Sequence, residues 1–277
     1  MLKSKFFKRF LAVLFGAALL QLQLHSAAFA QEVIRLSTTT STENSGLLTF
    51  LLPTFEAQTK TRVHVISVGT GKALELAKNG DVDVTLVHAR SSEDKFVAEG
   101  HGVNRRDVMY NDFIIVGPLA DPAGIKGMND VSAALRKIID TKAKFISRGD
   151  NSGTDQMEKI YWKKIGSTPS GTAYISAGLG MGEVLNMAAE LRAYTLTDRA
   201  TYIAYRAKTG LMVAVQGDAS MFNPYGIIAV NPVKHRHVNY KGAMQLIDWI
   251  TSDAGRQRIA AFRVDGQQIF FPSVLPR

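Results

Sequence analysis

Cysteine is absent from the 277-residue chain. That excludes disulfides, thiolate metal sites, a cysteine nucleophile and a lipid-modified cysteine anchor together, and leaves stability to packing. Long apolar runs are nearly missing as well. The one that stands out runs from Phe10 to about Leu24, with Gln21 and Gln23 interrupting its far end. It falls short of the roughly 20 residues that a membrane span needs. Lys3, Lys5, Lys8 and Arg9 precede it and Ala28-Phe29-Ala30 follows it, the layout of a secretory signal peptide over residues 1–30. No acid lies in that segment, so its removal takes the formal net charge from +9 to +5. An exported mature chain of this size is ample for one large or two ordinary domains.

The remaining basic residues are spread among acids rather than gathered in a run. This balance suits an anionic ligand and argues against nucleic acid as a partner. Histidine is sparse and badly spaced for a metal. His235 and His237 stand two apart beside Arg236, and His64, His88 and His101 have no His-Glu spacing around them. Neither a metal cation nor an organic cofactor is expected. Gly69-Thr70-Gly71-Lys72 lacks the leading glycine and the final hydroxyl of a phosphate loop, and Gly178–Gly182 lacks the third glycine of a dinucleotide fingerprint. No serine sits in a Gly-x-Ser-x-Gly elbow. No catalytic constellation emerges, and the chain reads as a non-enzyme.

What is present is alternation. Val33–Ser37, Arg62–Ser67, Val84–Val87 and Phe113–Gly117 read as strands, and Gly46–Gln58, Gly71–Asn79 and Ser91–Glu99 as helices. Pro53 predicts a kink or a split in the first helix. The plan repeats with a helix at Asp130–Ile139, a strand at Lys144–Ser147, and helices at Ser152–Lys164 and Gly182–Arg192. A strand at Gly226–Val230 precedes two last helices, Gly242–Thr251 and Asp253–Ala261. This is an α/β architecture with mainly parallel sheets. Two lobes joined by crossings near Asp112–Gly117 and Asn223–Val230 place a cleft at the strand ends, where open α/β sheets bind ligands.

One junction recurs: a strand, then small hydroxyl residues and glycine, then a helix. It occurs at Ser37–Thr42, at Ser67–Gly71 and at Arg148–Thr154. Helix N-termini offer unpaired N–H groups and partial positive charge, small residues let an anion approach, and Ser/Thr hydroxyls add donors. The same residues also serve as plain N-caps. Arg148 leads the third junction, and its planar fork of donors suits a tetrahedral oxyanion. An ion pair with Asp150 that braces the turn is compatible with that role. Asp150 facing the ligand would favour a protonated anion such as hydrogen phosphate.

Six ordered blocks carry a family resemblance. They are Thr38–Thr42 with Ser45–Leu48, Val68–Leu74, Gly80–Val84 leading to Leu86–Ala89, Tyr110–Phe113, Ser147–Asp150 with Ser152–Thr154, and Tyr194–Arg199 with Asn223–Gly226. In these the chain resembles the tungstate-binding proteins of ABC transporters, within the two-lobed periplasmic oxyanion binders. The resemblance implies a type II periplasmic binding fold. Lobe 1 would comprise residues 31–114 and 225–277, and lobe 2 residues 115–224. It implies an anion shell of Thr39, Thr40, Ser41, Thr70, Arg148, Ser152, Gly153 and Thr154, filled by tungstate or molybdate. It further implies a monomer that serves an inner-membrane permease. Asp155 departs from the histidine frequent after Ser-Gly-Thr in that family, which bears on selectivity. A phosphate binder of the same fold is the near alternative. An exported hydrolase using Ser41 or Ser152 is the distant one, with no histidine base close to either in sequence.

Overall fold

The computed structural model describes residues 32–167 and 169–273; the expected signal segment 1–30 lies outside them. β1 (Val33–Thr39) and β2 (Arg62–Val68) pair in parallel, Val33 opposite Arg62 through to Thr39 opposite Val68. β3 (Val84–Val87) pairs in parallel with the other edge of β1, Leu36 lying opposite Val84. All four residues of β3 are buried, as expected of a strand covered on both faces. β9 (Phe222–Val230) runs antiparallel to β3, and β4 (Gly102–Gly117) antiparallel to β9, so β4 points the same way as β1, β2 and β3. The short β10 (Phe271–Pro272) closes the edge beyond β4.

The sixteen-residue β4 is one crossing made of a single strand. Up to Asp112 it pairs with β9, and from Phe113 it pairs with β7 (Thr195–Asp198) and β8 (Met212–Val215). In this second region β5 (Phe145–Ser147) and β6 (Tyr174–Ser176) run in parallel. A parallel bridge from Phe145 to Tyr194 ties β5 to β7. The second sheet thus repeats the first in plan, with parallel strands and one strand inserted in the opposite sense. The Phe113-Ile114-Ile115-Val116 run is fully buried, Phe113 and Ile115 in one core cluster and Ile114 and Val116 in another. One strand therefore anchors both cores.

Helices flank these sheets. α1 (Thr40–Asn44) and α2 (Leu47–Thr59) follow β1, α3 (Thr70–Asn79) follows β2, and α4 (Arg90–Ala98) follows β3. Around the second sheet lie α5 (Val131–Asp140), α6 (Gly153–Lys164), α7 (Met181–Glu190) and α8 (Arg199–Thr209). α9 (Tyr240–Ile250) and α10 (Asp253–Ala261) return to the first sheet. The Ser252 hydroxyl caps α10 by accepting from the Gly255 N–H. Of the kink or split expected at Pro53, the split is not found. α2 is one helix through the proline, because Leu47, Leu48, Leu51, Leu52 and Phe55 are all buried along it and packing outweighs one lost backbone bond. No helix among the described residues is long and apolar enough to cross a membrane.

Candidate functional site

Each of the three hydroxyl-rich junctions sits where a strand ends and a helix begins. At the first, β1 ends in Thr39, whose hydroxyl oxygen caps α1 by accepting from the Thr42 N–H at 3.2 Å. Thr39 Oγ1 also lies 2.7 Å from Thr42 Oγ1 and 3.2 Å from Ser41 Oγ. Thr38 is turned into the sheet, donating to the Leu86 carbonyl at 2.7 Å. At the second, Gly69 leads into α3 and Thr70 is fully buried. At the third, the chain leaves β5 through Arg148, turns at Gly149 and Asn151, and enters α6, with the Ser152 hydroxyl accepting from the Asp155 N–H at 3.2 Å.

Hydrogen bonds link all three. Arg148 Nη2 donates to Asp150 Oδ2 at 2.6 Å and reaches Thr40 Oγ1 at 3.4 Å. Asp150 Oδ1 accepts from the Ser152 N–H at 3.1 Å, and Thr70 Oγ1 accepts from the Gly153 N–H at 3.0 Å. Thr39, Thr40, Ser41, Thr70, Arg148, Ser152, Gly153 and Thr154 are therefore one neighbourhood, although Gly153 spends its amide on Thr70. Arg148 is only 1% exposed, yet its Nε and Nη1 have no hydrogen-bond partner among the described residues, and neither does the buried Thr154 Oγ1. Buried charged donors without partners are costly in a finished core.

The carboxylates nearby are turned away from such a role. Asp150 gives its two oxygens to Arg148 and the Ser152 amide. Asp155 is buried and accepts from the Gly149 and Asn151 N–H groups at 3.2 and 3.1 Å and from Lys159 Nζ at 2.5 Å. It braces the turn that carries Arg148. Asp198 caps α8, bonded to the Thr201 N–H and hydroxyl. Burial raises its pKa, while the Thr201 bonds and the Arg148 charge oppose that rise. What remains to meet a ligand is a set of donors, matched to an anion whose oxygens only accept.

Sequence reasoning missed part of the neighbourhood. Thr201 Oγ1 reaches the Ser41 carbonyl at 3.3 Å, and a side chain on Gly180, the N-cap of α7, would lie 3.8 Å from Thr40 Oγ1. The Asp198-x-x-Thr201 cap is a readable signal for the first; nothing local marks Gly180 as facing Thr40. No histidine is close to Ser41 in sequence, yet the fold supplies one. His88 Nε2 is 3.3 Å from Ser41 Oγ, and His88 Nδ1 is 3.0 Å from Asn223 Oδ1. The third member is a neutral amide rather than the carboxylate that supports a strong base. Burial, with Arg148 adding to it, holds His88 down to about 4 against the Asn223 bond.

His235 and His237 instead bond the Lys78 and Gly80 carbonyls at the end of α3. Among the described residues no group of three or more His, Cys, Asp or Glu could hold a metal ion. A cavity of about 650 Å³ lies elsewhere, between Ile138, Phe145, Trp162 and Tyr174, and includes none of the expected site residues.

Known proteins resemble this chain in sequence and in fold. Residues 26–254 match the family model of the PBP superfamily domain. The chain is 45% identical to the tungstate-binding protein TupA of Peptoclostridium acidaminophilum, over 96% of this chain and 99% of that one. The crystal structure of the tungstate ABC transporter from Geobacter sulfurreducens is 56% identical, covering 84% of this chain and all of that one, with a TM-score of 0.79. The tungstate-binding protein TupA from Desulfovibrio alaskensis G20 is 45% identical, covering 88% of this chain and all of that one, with a TM-score of 0.75. The chain belongs to the PBP superfamily, in the same family as the tungstate-binding proteins of ABC transporters.

Proposed function

We propose that this chain is a periplasmic, non-catalytic solute-binding protein that captures tungstate and delivers it to the permease of an ABC importer. The observation that carries the reading is Arg148: buried, charged, held by Asp150 on one side only, and left with two unpartnered donors beside three hydroxyl-rich helix starts. The anion shell is Thr39, Thr40, Ser41, Thr70, Arg148, Ser152 and Thr154, with the Gly153 amide released from Thr70 when the ligand binds. Tungstate and molybdate offer only acceptors and fit the same donors. Asp150, turned onto Arg148 and the Ser152 amide rather than held free for a ligand proton, favours a fully deprotonated anion over hydrogen phosphate. The lobes are residues 31–114 with 225–277, and residues 115–224. Residues 1–30 are a cleaved signal peptide, and the mature chain acts as a monomer.

Isothermal titration with tungstate, molybdate, sulfate and phosphate at neutral pH tests this directly. Tight tungstate binding with phosphate silent is the expected result. Phosphate binding with tungstate silent would overturn it. Incubation with generic esters and phosphoesters is expected to give no turnover, despite the proximity of His88 to Ser41.

A further inference from the structure

Four side chains from distant parts of the chain form a buried polar line that ends at Ser41. Asn223 Nδ2 donates to Asn111 Oδ1 at 2.7 Å, which turns Asn223 Oδ1 toward His88 Nδ1 at 3.0 Å. With the Asn223 amide oxygen on His88, which can only accept, Nδ1 carries the imidazole proton and Nε2 of the neutral ring is an acceptor. Nε2 faces Ser41 Oγ at 3.3 Å, where it can accept the Ser41 proton. His88 is 4% exposed and stacked on the Tyr225 ring at 4.7 Å.

An oxyanion makes the opposite demand on Ser41. Once the hydroxyl turns its proton to the anion, Oγ and Nε2 face each other lone pair to lone pair. A proton on Nε2 resolves the conflict: Nε2–H donates to Ser41 Oγ, Nδ1–H keeps Asn223, and Ser41 is left with its own proton for the ligand. Resting on the site reading above, we propose that His88 is a positioning residue that takes up one proton as the oxyanion binds and thereby holds Ser41 as a donor to it.

The surrounding charges favour this only when the anion is present. Arg148 is the cation that opposes a charged His88 in the free protein. Glu93, on α4, is committed to the Ala89 N–H and Arg105, and Arg90 to Asp94. On α6 Asp155 is paired with Lys159, on β4 Asp112 with Arg199, and Asp198 bonds Thr201. Tyr225 ionises well above its usual range and stays neutral. A dianion at Arg148 offsets that cation and adds negative charge beside the ring, raising the pKa of His88 in the complex. A pKa raised by binding strengthens affinity fully below the free value, about 4, and the gain is lost as pH rises through the value in the complex. Between the two, affinity falls by up to about tenfold per pH unit.

The test is titration of the full mature chain with sodium tungstate between pH 7 and pH 9, in buffers of differing ionisation heat. Wild type is expected to take up a measurable fraction of a proton per tungstate, largest at the lower end. His88→Gln, whose amide N–H can donate to Ser41 permanently, is expected to bind within about tenfold of wild type and to take up no proton. Asn223→Asp, which places a carboxylate on Nδ1, charges the ring beforehand and is expected to reduce the uptake; it serves if His88→Gln fails to fold. Tight wild-type binding without proton uptake would overturn the proposal, as would equal uptake in the two variants and wild type. Absence of tungstate binding by wild type would instead overturn the functional reading on which it rests.

Discussion

Arg148 Nη2 and Asp150 Oδ2 stand 2.6 Å apart, so the turn between β5 and α6 closes on its own ion pair. The pair orients the guanidinium without exhausting it, because Nε and Nη1 stay unpartnered among the described residues. Arg148→Ala removes a buried cation from the site. Tungstate affinity is expected to fall at least tenfold, since a charge-assisted hydrogen bond contributes about 1.5–3 kcal/mol. Isothermal titration checks this, and unchanged affinity would remove Arg148 from the site.

Thr70 opens a helix of the first sheet and Gly153 a helix of the second, and their 3.0 Å bond joins the two helix starts. Thr70→Val keeps the shape and removes both the acceptor for Gly153 and a donor for the ligand. A loss of about 1–3 kcal/mol in binding is expected, with Thr70→Ser largely restoring it. A Thr70→Val protein that binds as wild type would show that the hydroxyl serves neither purpose.

Gly149 holds φ at 61°, a left-handed conformation that costs little only for glycine, and a side chain there would collide with Ser176 Oγ. Gly149→Ala is expected to destabilise the fold by about 1–3 kcal/mol and to weaken tungstate binding, because the turn it distorts carries Arg148. Urea denaturation and titration on the same sample measure both. An effect on neither would mean that the turn relaxes freely.

Glu158 is buried beneath Trp162 and Tyr174, and burial pushes its pKa up to about 7 against the hydrogen bonds of both. A carboxyl whose folded value is raised contributes stability below its unfolded value, near 4.5, and loses it as pH rises through about 7. The loss across that window is about 3 kcal/mol. Glu158→Gln should flatten this part of the profile and exceed wild type in stability above neutral pH. Denaturant midpoints between about pH 4.5 and 8.5 decide it; parallel profiles would show that Glu158 titrates normally.

Much of this is legible because it is local. Val84–Val87 reads as a strand with the bounds it has, and a Ser252 cap follows from a pattern that spans three residues. β4 is legible only in its last five residues, Phe113–Gly117, where the apolar run is continuous. Its earlier part, from Gly102 to Asp112, mixes charges with small and apolar residues, and only the pairing with β9 makes it extended.

The site divides along the same physical line. Helix starts rich in Ser, Thr and Gly, and an arginine that begins one of them, are encoded within a few residues, so the three junctions can be read from the primary structure alone. Their convergence, the turning of Asp150 onto Arg148, and the placing of His88 between Ser41 and Asn223 depend on how the chain folds back on itself. Ser41 and His88 lie 47 residues apart, and Asn223 a further 135 from His88. They meet because β1 and β3 pair with Thr38 opposite Leu86, and β3 and β9 with Val87 opposite Gly226. That register brings the residues just beyond the paired positions to one sheet edge, and no short-range pattern records it, because side-chain proximity across strands depends on which strands pair.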